Sequence, residues 1–337
     1  MVNPGNVVRW LALSLETWQG GHPKGRLHRE CRRYAHEIIQ TAGEVDPGFE
    51  GSHIYRKMIW YMVLDLWLGI QVHRLHGSTP TRADRRRYAL SAPVFAAADY
   101  LIDDTDRPLA GIEAFTRDPD SQPDFPHHAL FRAFHNAFLA SLDPKLDRDR
   151  VLEAYHRVHR VQFDSRGQKD AEASAADIDL WVRDKTGYTY QMVRSMVPIA
   201  ELPDEADVWY QLGALTQYCN DIQDLHRDLE SGVRNSATEL ADSQSIKRNL
   251  RQQQRRAYEV LSGLAIASSS YRRVDFMFEA FVLIMEAKLD WYDRVCGGQF
   301  TSGKLLQLTR QQTYLPPWSL FSLRRCLVPL LGYRSSK

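Results

Sequence analysis

Apolar residues recur at three- and four-residue spacing through almost the whole chain, and no run alternates apolar and polar residues as a half-buried strand would. That pattern restricts the chain to an all-helical fold, with one large helical domain as the simplest organisation. It predicts helices over roughly residues 6–18, 26–43, 52–77, 80–105, 126–142, 147–165, 175–200, 204–230, 236–265, 270–296 and 303–313. Breaks fall at Gly20-Gly21, Asp46-Pro47-Gly48, Gly77 to Pro80, Leu202-Pro203 and Gly297-Gly298. Pro93 lies inside the fourth segment and is expected to kink or split it. Residues 117–126 read as a polar, proline-containing loop.

Charge and cysteine content exclude several classes. Of the 337 residues, 43 are basic and 42 acidic, a formal net charge of +1, so the chain lacks the concentrated positive field that nucleic-acid binding needs. The four cysteines, Cys31, Cys219, Cys296 and Cys326, lie far apart and form no CxxC pair. A disulfide framework or zinc ribbon is not expected, and a reducing cytoplasm fits. The apolar stretch from Trp10 to Leu15 ends at Glu16 and does not read as a signal peptide. The longest apolar run, residues 58–70, is broken by Asp65 and is too short to span a bilayer, so the chain reads as soluble. Beyond Leu315-Pro316-Pro317 the helical pattern stops, and residues 318–333 mix Trp, Phe, Leu and Val with Arg324-Arg325. This tail is expected to pack on its own domain or close a site, with peripheral membrane contact as the alternative.

The chemistry concentrates in Asn220-Asp221-Ile222-Gln223-Asp224-Leu225-His226-Arg227-Asp228. At roughly 100° per residue, Asn220, Asp224 and Asp228 fall on one helix face, one turn apart, with Arg227 beside them. Three oxygen ligands beside a cation make a poor core stripe. They suit Mg²⁺, which takes one or two carboxylates together with substrate phosphate oxygens and water. A second cluster lies upstream, where Asp99, Asp103 and Asp106 fall within roughly 60° of one face if the helix continues, while Asp104 points elsewhere. Like charges at such range repel unless a cation neutralises them, and they stand at a helix C-terminus, where negative charge is disfavoured.

A third element runs Leu180-Trp181-Val182-Arg183-Asp184-Lys185-Thr186-Gly187-Tyr188-Thr189-Tyr190. Arg183 and Lys185 are suited to diphosphate oxygens, and Gly187, costly inside a helix, is expected to leave a break whose backbone faces a cavity. His156 and His159 stand at HxxH spacing without a third ligand or an intervening Glu and are not read as a metal site.

With these motifs the chain resembles a class I isoprenoid synthase, and most a bacterial class I terpene synthase, over roughly residues 55–315. The second metal motif of that family runs Asn/Asp-Asp-x-x-Ser/Thr-x-x-Arg/Lys-Glu/Asp. Asn220, Asp221, Asp224, Arg227 and Asp228 occupy its positions, with Asp224 in place of the hydroxyl residue. That exchange moves the motif toward the acidic form found in prenyl diphosphate synthases. The aspartate-rich motif is represented by Asp103-Asp104-Thr105-Asp106, one residue short, with Asp99 available as the missing ligand. Arg183 with Gly187 resembles the family's diphosphate-sensing Arg and helix-break effector, and Lys185-Thr186-Gly187 resembles the Lys-Thr of prenyl diphosphate synthases. Arg310 and Tyr314 stand one turn apart where the family has an adjacent Arg-Tyr pair.

The resemblance implies a single-domain, all-α class I isoprenoid synthase fold: an N-terminal helical segment over 1–50, a catalytic core over 51–315 and a tail over 316–337. It implies Mg²⁺ as cofactor, three ions with diphosphate bound, on Asp99, Asp103, Asp104, Asp106, Asn220, Asp224 and Asp228. Arg183, Lys185 and Arg227 would bind the diphosphate of a linear prenyl substrate, whose allylic cation then cyclises in an apolar pocket. Aromatic faces stabilise such cations, and Phe95, Tyr188, Phe276, Phe278, Phe281 and Trp291 are the candidates. A homodimer is compatible with this reading. Two rivals stand beside the cyclase. One is a prenyltransferase joining the substrate to isopentenyl diphosphate or another acceptor, although no Gly-Gly-Lys-x-x-Arg-Pro-like motif for a second diphosphate is legible. The other is a non-catalytic helical binding protein.

Overall fold

The structure is a computed structural model describing residues 6, 9, 22, 24–42, 46, 48–104, 108–121, 124–125, 127–315 and 319–335; the side chains of residues 103, 104, 109, 320 and 323 lie outside the description. Among the described residues there are helices and no strands, as the spacing predicts. No described helix is long and apolar enough to cross a membrane. The chain divides into two compact units, one of residues 14–163 and 191–200, the other of residues 1–13, 164–190 and 201–337. They are called here the Asp99 unit and the Asp224 unit.

The Asp99 unit carries α1 (Arg26–Ile39), α2 (His53–Leu75), α3 (Arg82–Ser91), α4 (Pro93–Asp104), α5 (Leu109–Arg117), α6 (His128–Ala140) and nearly all of α7 (Arg148–Asp164). α2 packs against α1, α3 and α4, and α6 against the same three. The predicted helix over 80–105 is two helices. Pro93 offers no N–H to continue α3, and its fixed φ suits the first turn of α4. α3 opens on a capping box in which Thr81 accepts from Asp84 N–H and the Asp84 carboxylate accepts from Thr81 N–H. Arg87, 1% exposed, is held by Asp84 at 3.0 Å and by the carbonyls of Ser141 and Met196 at 2.9 Å, so its charge is paired inside the unit. Asp65 proves to be a hydrogen-bonded core acid. Ser91 Oγ donates to it at 2.8 Å, and burial pushes its carboxyl up to about 7. α5 was not foreseen; it is one short amphipathic stretch whose Ile112 and Phe115 are buried.

The Asp224 unit contains most of α8 (Ala175–Ser195), all of α9 (Glu205–Glu230), α10 (Ser243–Gly263) and α11 (Ser268–Val295), the short α12 (Ser302–Leu306) and α13 (Arg310–Thr313), and α14 (Leu320–Gly332). α9 packs against α10, α11, α12 and α13. α10 starts seven residues later than predicted because Asp242 caps it, accepting from Ser245 N–H at 2.9 Å, and the preceding residues form turns instead. Arg251 on α10 forks onto Glu286 and also bonds Glu279, both on α11. The tail forms α14, which packs on α11: Phe276, Ala280, Leu283 and Ala287 meet Cys326 and Leu330. Asn6 Nδ2 donates to the carbonyls of Leu330, Leu331 and Tyr333 and so satisfies the open end of that helix. All four cysteines are unpaired thiols.

Candidate functional site

α9 is one uninterrupted helix through the whole of Asn220 to Asp228, so the sequence motif becomes a surface. Asn220 is exposed, Asp224 half-buried and Asp228 buried, one turn apart on one face. Arg227 Nη2 donates to Asp224 Oδ2 at 2.9 Å and lies 3.4 Å from Asp228 Oδ1. Asp228 Oδ2 accepts from Asn235 Nδ2 at 2.8 Å. Burial pushes the Asp228 carboxyl up, Arg227 opposes the shift, Asp224 adds to it, and Lys185 opposes it.

Asp221 is turned inward, 3% exposed, and is fully engaged. Gln217 Nε2 donates to Oδ1 at 2.9 Å, and Ser236 donates both its N–H at 3.1 Å and its hydroxyl at 2.7 Å to Oδ2. Burial pushes this carboxyl up to about 6. Asp221 therefore fixes the rotation of α9 and the loop beyond it, leaving Asn220 and Asp224 as the more exposed oxygens, with Asp228 buried one turn further on. Asn235 and Ser236 were missed by the sequence reading. Asn235 caps its own turn, its Oδ1 accepting from the N–H groups of Ala237 and Thr238 at 2.9 Å, and this pins the Nδ2 that reaches Asp228. A short polar Asn-Ser pair just past an acidic helix is the signal that was available.

α8 lies against α9 at two glycines. A Cβ on Gly213 would stand 2.4 Å from Thr186 O, and one on Gly187 2.6 Å from the Tyr210 ring. Thr186 Oγ1 donates to Gln217 Oε1 at 2.5 Å, which extends the chain Thr186, Gln217, Asp221, Ser236 across the two helices and the loop. The expected break at Gly187 does not occur: α8 runs through it, and the glycine serves close packing. Of the two α8 cations, Lys185 acts electrostatically on Asp228. Arg183 is paired at 3.0 Å with Asp179 one turn earlier, and Asp179 also accepts from Tyr218 OH. Two residues apart on a helix, Arg183 and Lys185 cannot share a face.

α11 adds a cation that the sequence reading missed. Lys288 is 7% exposed; its Nζ donates to Gln223 O at 2.8 Å and stands 5.5 Å from the Tyr292 ring centroid. Burial pulls its ammonium down to about 8, Asp224 opposes the shift, and Arg310 adds to it. Arg310 thus acts electrostatically on Lys288, while Tyr314, 57% exposed, caps the C-terminus of α13. His226 Nε2 lies 2.8 Å from Leu308 O and ties α9 to the segment before α13.

The aromatic candidates disperse. Tyr188 packs on Tyr210 at 5.4 Å, and Phe278 meets Phe281 edge-on at 5.8 Å. Phe276 and Trp291, expected to line a pocket, turn toward α14 instead. Phe276 lies in the α11–α14 core, and Trp291 meets Phe321 edge-on while donating to Gln312 O at 3.2 Å. The cause is the helical α14, whose apolar side needed cover. In the Asp99 unit, Phe95 packs at a tilt against His159 at 4.1 Å and Tyr155 at 4.8 Å between ring centroids. A surface recess of about 460 Å³ beside Ser243 and Asp293 contains none of these residues.

Asp99 accepts from Lys57 at 2.6 Å and Tyr61 at 2.9 Å on Oδ2 and from Gln162 at 2.6 Å on Oδ1. Both its oxygens are engaged within its unit. Asp103 and Asp104 are the last residues of α4, with side chains outside the description, and Asp106 lies outside the described residues.

Among the described residues no group of three or more His, Cys, Asp and Glu gathers in ligating geometry. The α9 face offers two carboxylates and an amide oxygen. That hard donor set fits Mg²⁺ with its remaining ligands drawn from phosphate and water. The repulsion between Asp224 and Asp228 is the field a cation would relieve.

No protein-family model matches the chain, and no curated protein matches it by sequence. Among solved structures it is similar to the geranylgeranyl pyrophosphate synthase of Lactobacillus brevis ATCC 367, with a TM-score of 0.52 and 11% identity over 80% of this chain and 99% of that one. The chain therefore has the all-α class I isoprenoid synthase fold.

Proposed function

We propose that the chain is a class I terpene synthase, which ionises a linear prenyl diphosphate and lets the allylic cation cyclise or rearrange. The observation that carries this reading is the α9 face, where Asn220, Asp224 and Asp228 line up beside Arg227 with Lys185 at range. Asn220, Asp224 and Asp228 would hold Mg²⁺, with Asn235 steadying the Asp228 carboxylate through Oδ2. Mg²⁺ bound there supplies positive charge to the departing diphosphate. Arg227 and Lys185 bind the diphosphate oxygens, Arg227 by exchanging its Asp224 contact for them. The allylic C–O bond breaks with its electron pair on diphosphate, and the cation cyclises or rearranges. A C–H proton then leaves for the released diphosphate. Asp103, Asp104, Asp106 and Arg183 enter this proposal through the sequence resemblance alone. The same reading takes residues 51–315 as the catalytic core and the cytoplasm as its place.

A prenyltransferase is the second reading. Asp224 in place of a hydroxyl residue, Lys185-Thr186-Gly187, and the fold shared with a geranylgeranyl pyrophosphate synthase favour it. Product analysis with purified protein, Mg²⁺ and a prenyl diphosphate, with and without isopentenyl diphosphate, separates the two. A hydrocarbon or terpene alcohol without the second substrate is the expected result. Turnover only in its presence makes the chain a transferase.

A further inference from the structure

Lys288 sits in the apolar stretch Phe281-Val282-Leu283-Ile284-Met285-Glu286-Ala287-Lys288-Leu289, a position where an ammonium is costly to bury. Its charge is not neutralised by contact, since among the described residues it forms no ion pair. The structure gives it one hydrogen-bond acceptor, Gln223 O at 2.8 Å, and the face of Tyr292. An ammonium has three donors, so two N–H bonds remain for another acceptor. Gln223 stands between Asn220 and Asp224 in the chain, so the Lys288 head is anchored at the middle turn of the α9 motif. A residue kept to neutralise Asp224 would form a salt bridge with it. Lys288 senses Asp224 electrostatically and bonds the neighbouring carbonyl instead.

We propose that Lys288 is a diphosphate-binding residue of the α9 site, its anchored ammonium donating to a diphosphate oxygen. The proposal rests on the prenyl diphosphate reading. Gln223 O and the Tyr292 ring hold the head group in place before the ligand arrives, which limits the side-chain entropy lost on binding. Arg310, whose charge reaches Lys288, adds to the positive field on that side.

The test is isothermal titration of the full chain with inorganic diphosphate in excess Mg²⁺. Lys288→Met keeps the apolar stem and removes the charge; Lys288→Gln also keeps a donor for Gln223 O. Circular dichroism identifies which variants fold, and Lys288→Arg is the conservative rescue. The expected result is wild-type binding weakened about tenfold or more in the neutral variants and within a few-fold of wild type in Lys288→Arg. Wild-type affinity in a folded neutral variant overturns the role of Lys288 and leaves the prenyl diphosphate reading standing. Failure of the wild type itself to bind Mg²⁺–diphosphate overturns both.

Discussion

Asp221 and Asp228 share a helix, yet their carboxylates have different surroundings. Three donors close off Asp221, whereas Asp228 has the Asn235 amide on Oδ2 and the Arg227 guanidinium 3.4 Å from Oδ1. Asn235→Ala leaves a buried carboxylate oxygen without its donor and is expected to cost about 1–3 kcal/mol. Denaturant unfolding measures that cost, and unchanged stability would show that Asn235 is dispensable. Asp65 gives a pH prediction. Its carboxyl is pushed from the ordinary 3.8 up to about 7, so between those values the folded chain keeps a proton that the unfolded chain has released. Its contribution to stability therefore falls as pH rises across that window, by up to about 4 kcal/mol, and stays lost above it. Asp65→Asn is neutral throughout and is expected to raise Tm more at pH near 8 than at pH near 5. Equal shifts at both would contradict the assignment.

The close approach of α8 and α9 depends on two residues without side chains. Gly213→Ala would drive a methyl onto Thr186 O, and an overpacking cost of about 1–3 kcal/mol is expected. Because Thr186 also leads into the Gln217–Asp221 chain, the same variant should weaken Mg²⁺–diphosphate binding; calorimetry on the folded variant checks this. Helical spacing made most of these elements legible in the sequence, α9 with Asn220, Asp224 and Asp228 one turn apart above all. Where it failed, the reason was local or distant chemistry. α5 is too short to show a period, and Thr309 splits the segment over 303–313 by capping α13. Gly187 reads as a break in one dimension and proves to be a contact once Tyr210 and Gly213 face it. Lys288 was invisible for a similar reason, since only the packing of α11 on α9 brings it to Gln223.

At the scale of the whole molecule, the all-α class was fixed by periodicity, and the likeness to a geranylgeranyl pyrophosphate synthase places the chain in one fold. That likeness carries no chemistry by itself, since one fold hosts many activities. Any activity of this chain turns on the α9 face and the cations around it. On the proposed function, this face works on a prenyl diphosphate. The measurement that tests it most directly follows Mg²⁺-dependent diphosphate release from prenyl diphosphates of ten to twenty-five carbons, using wild type, Asn220→Ala and Asp224→Ala. The expected result is release from at least one substrate by the wild type, with a loss of about a hundredfold or more in both variants. No release from any of them, or release unchanged in the variants, would contradict it.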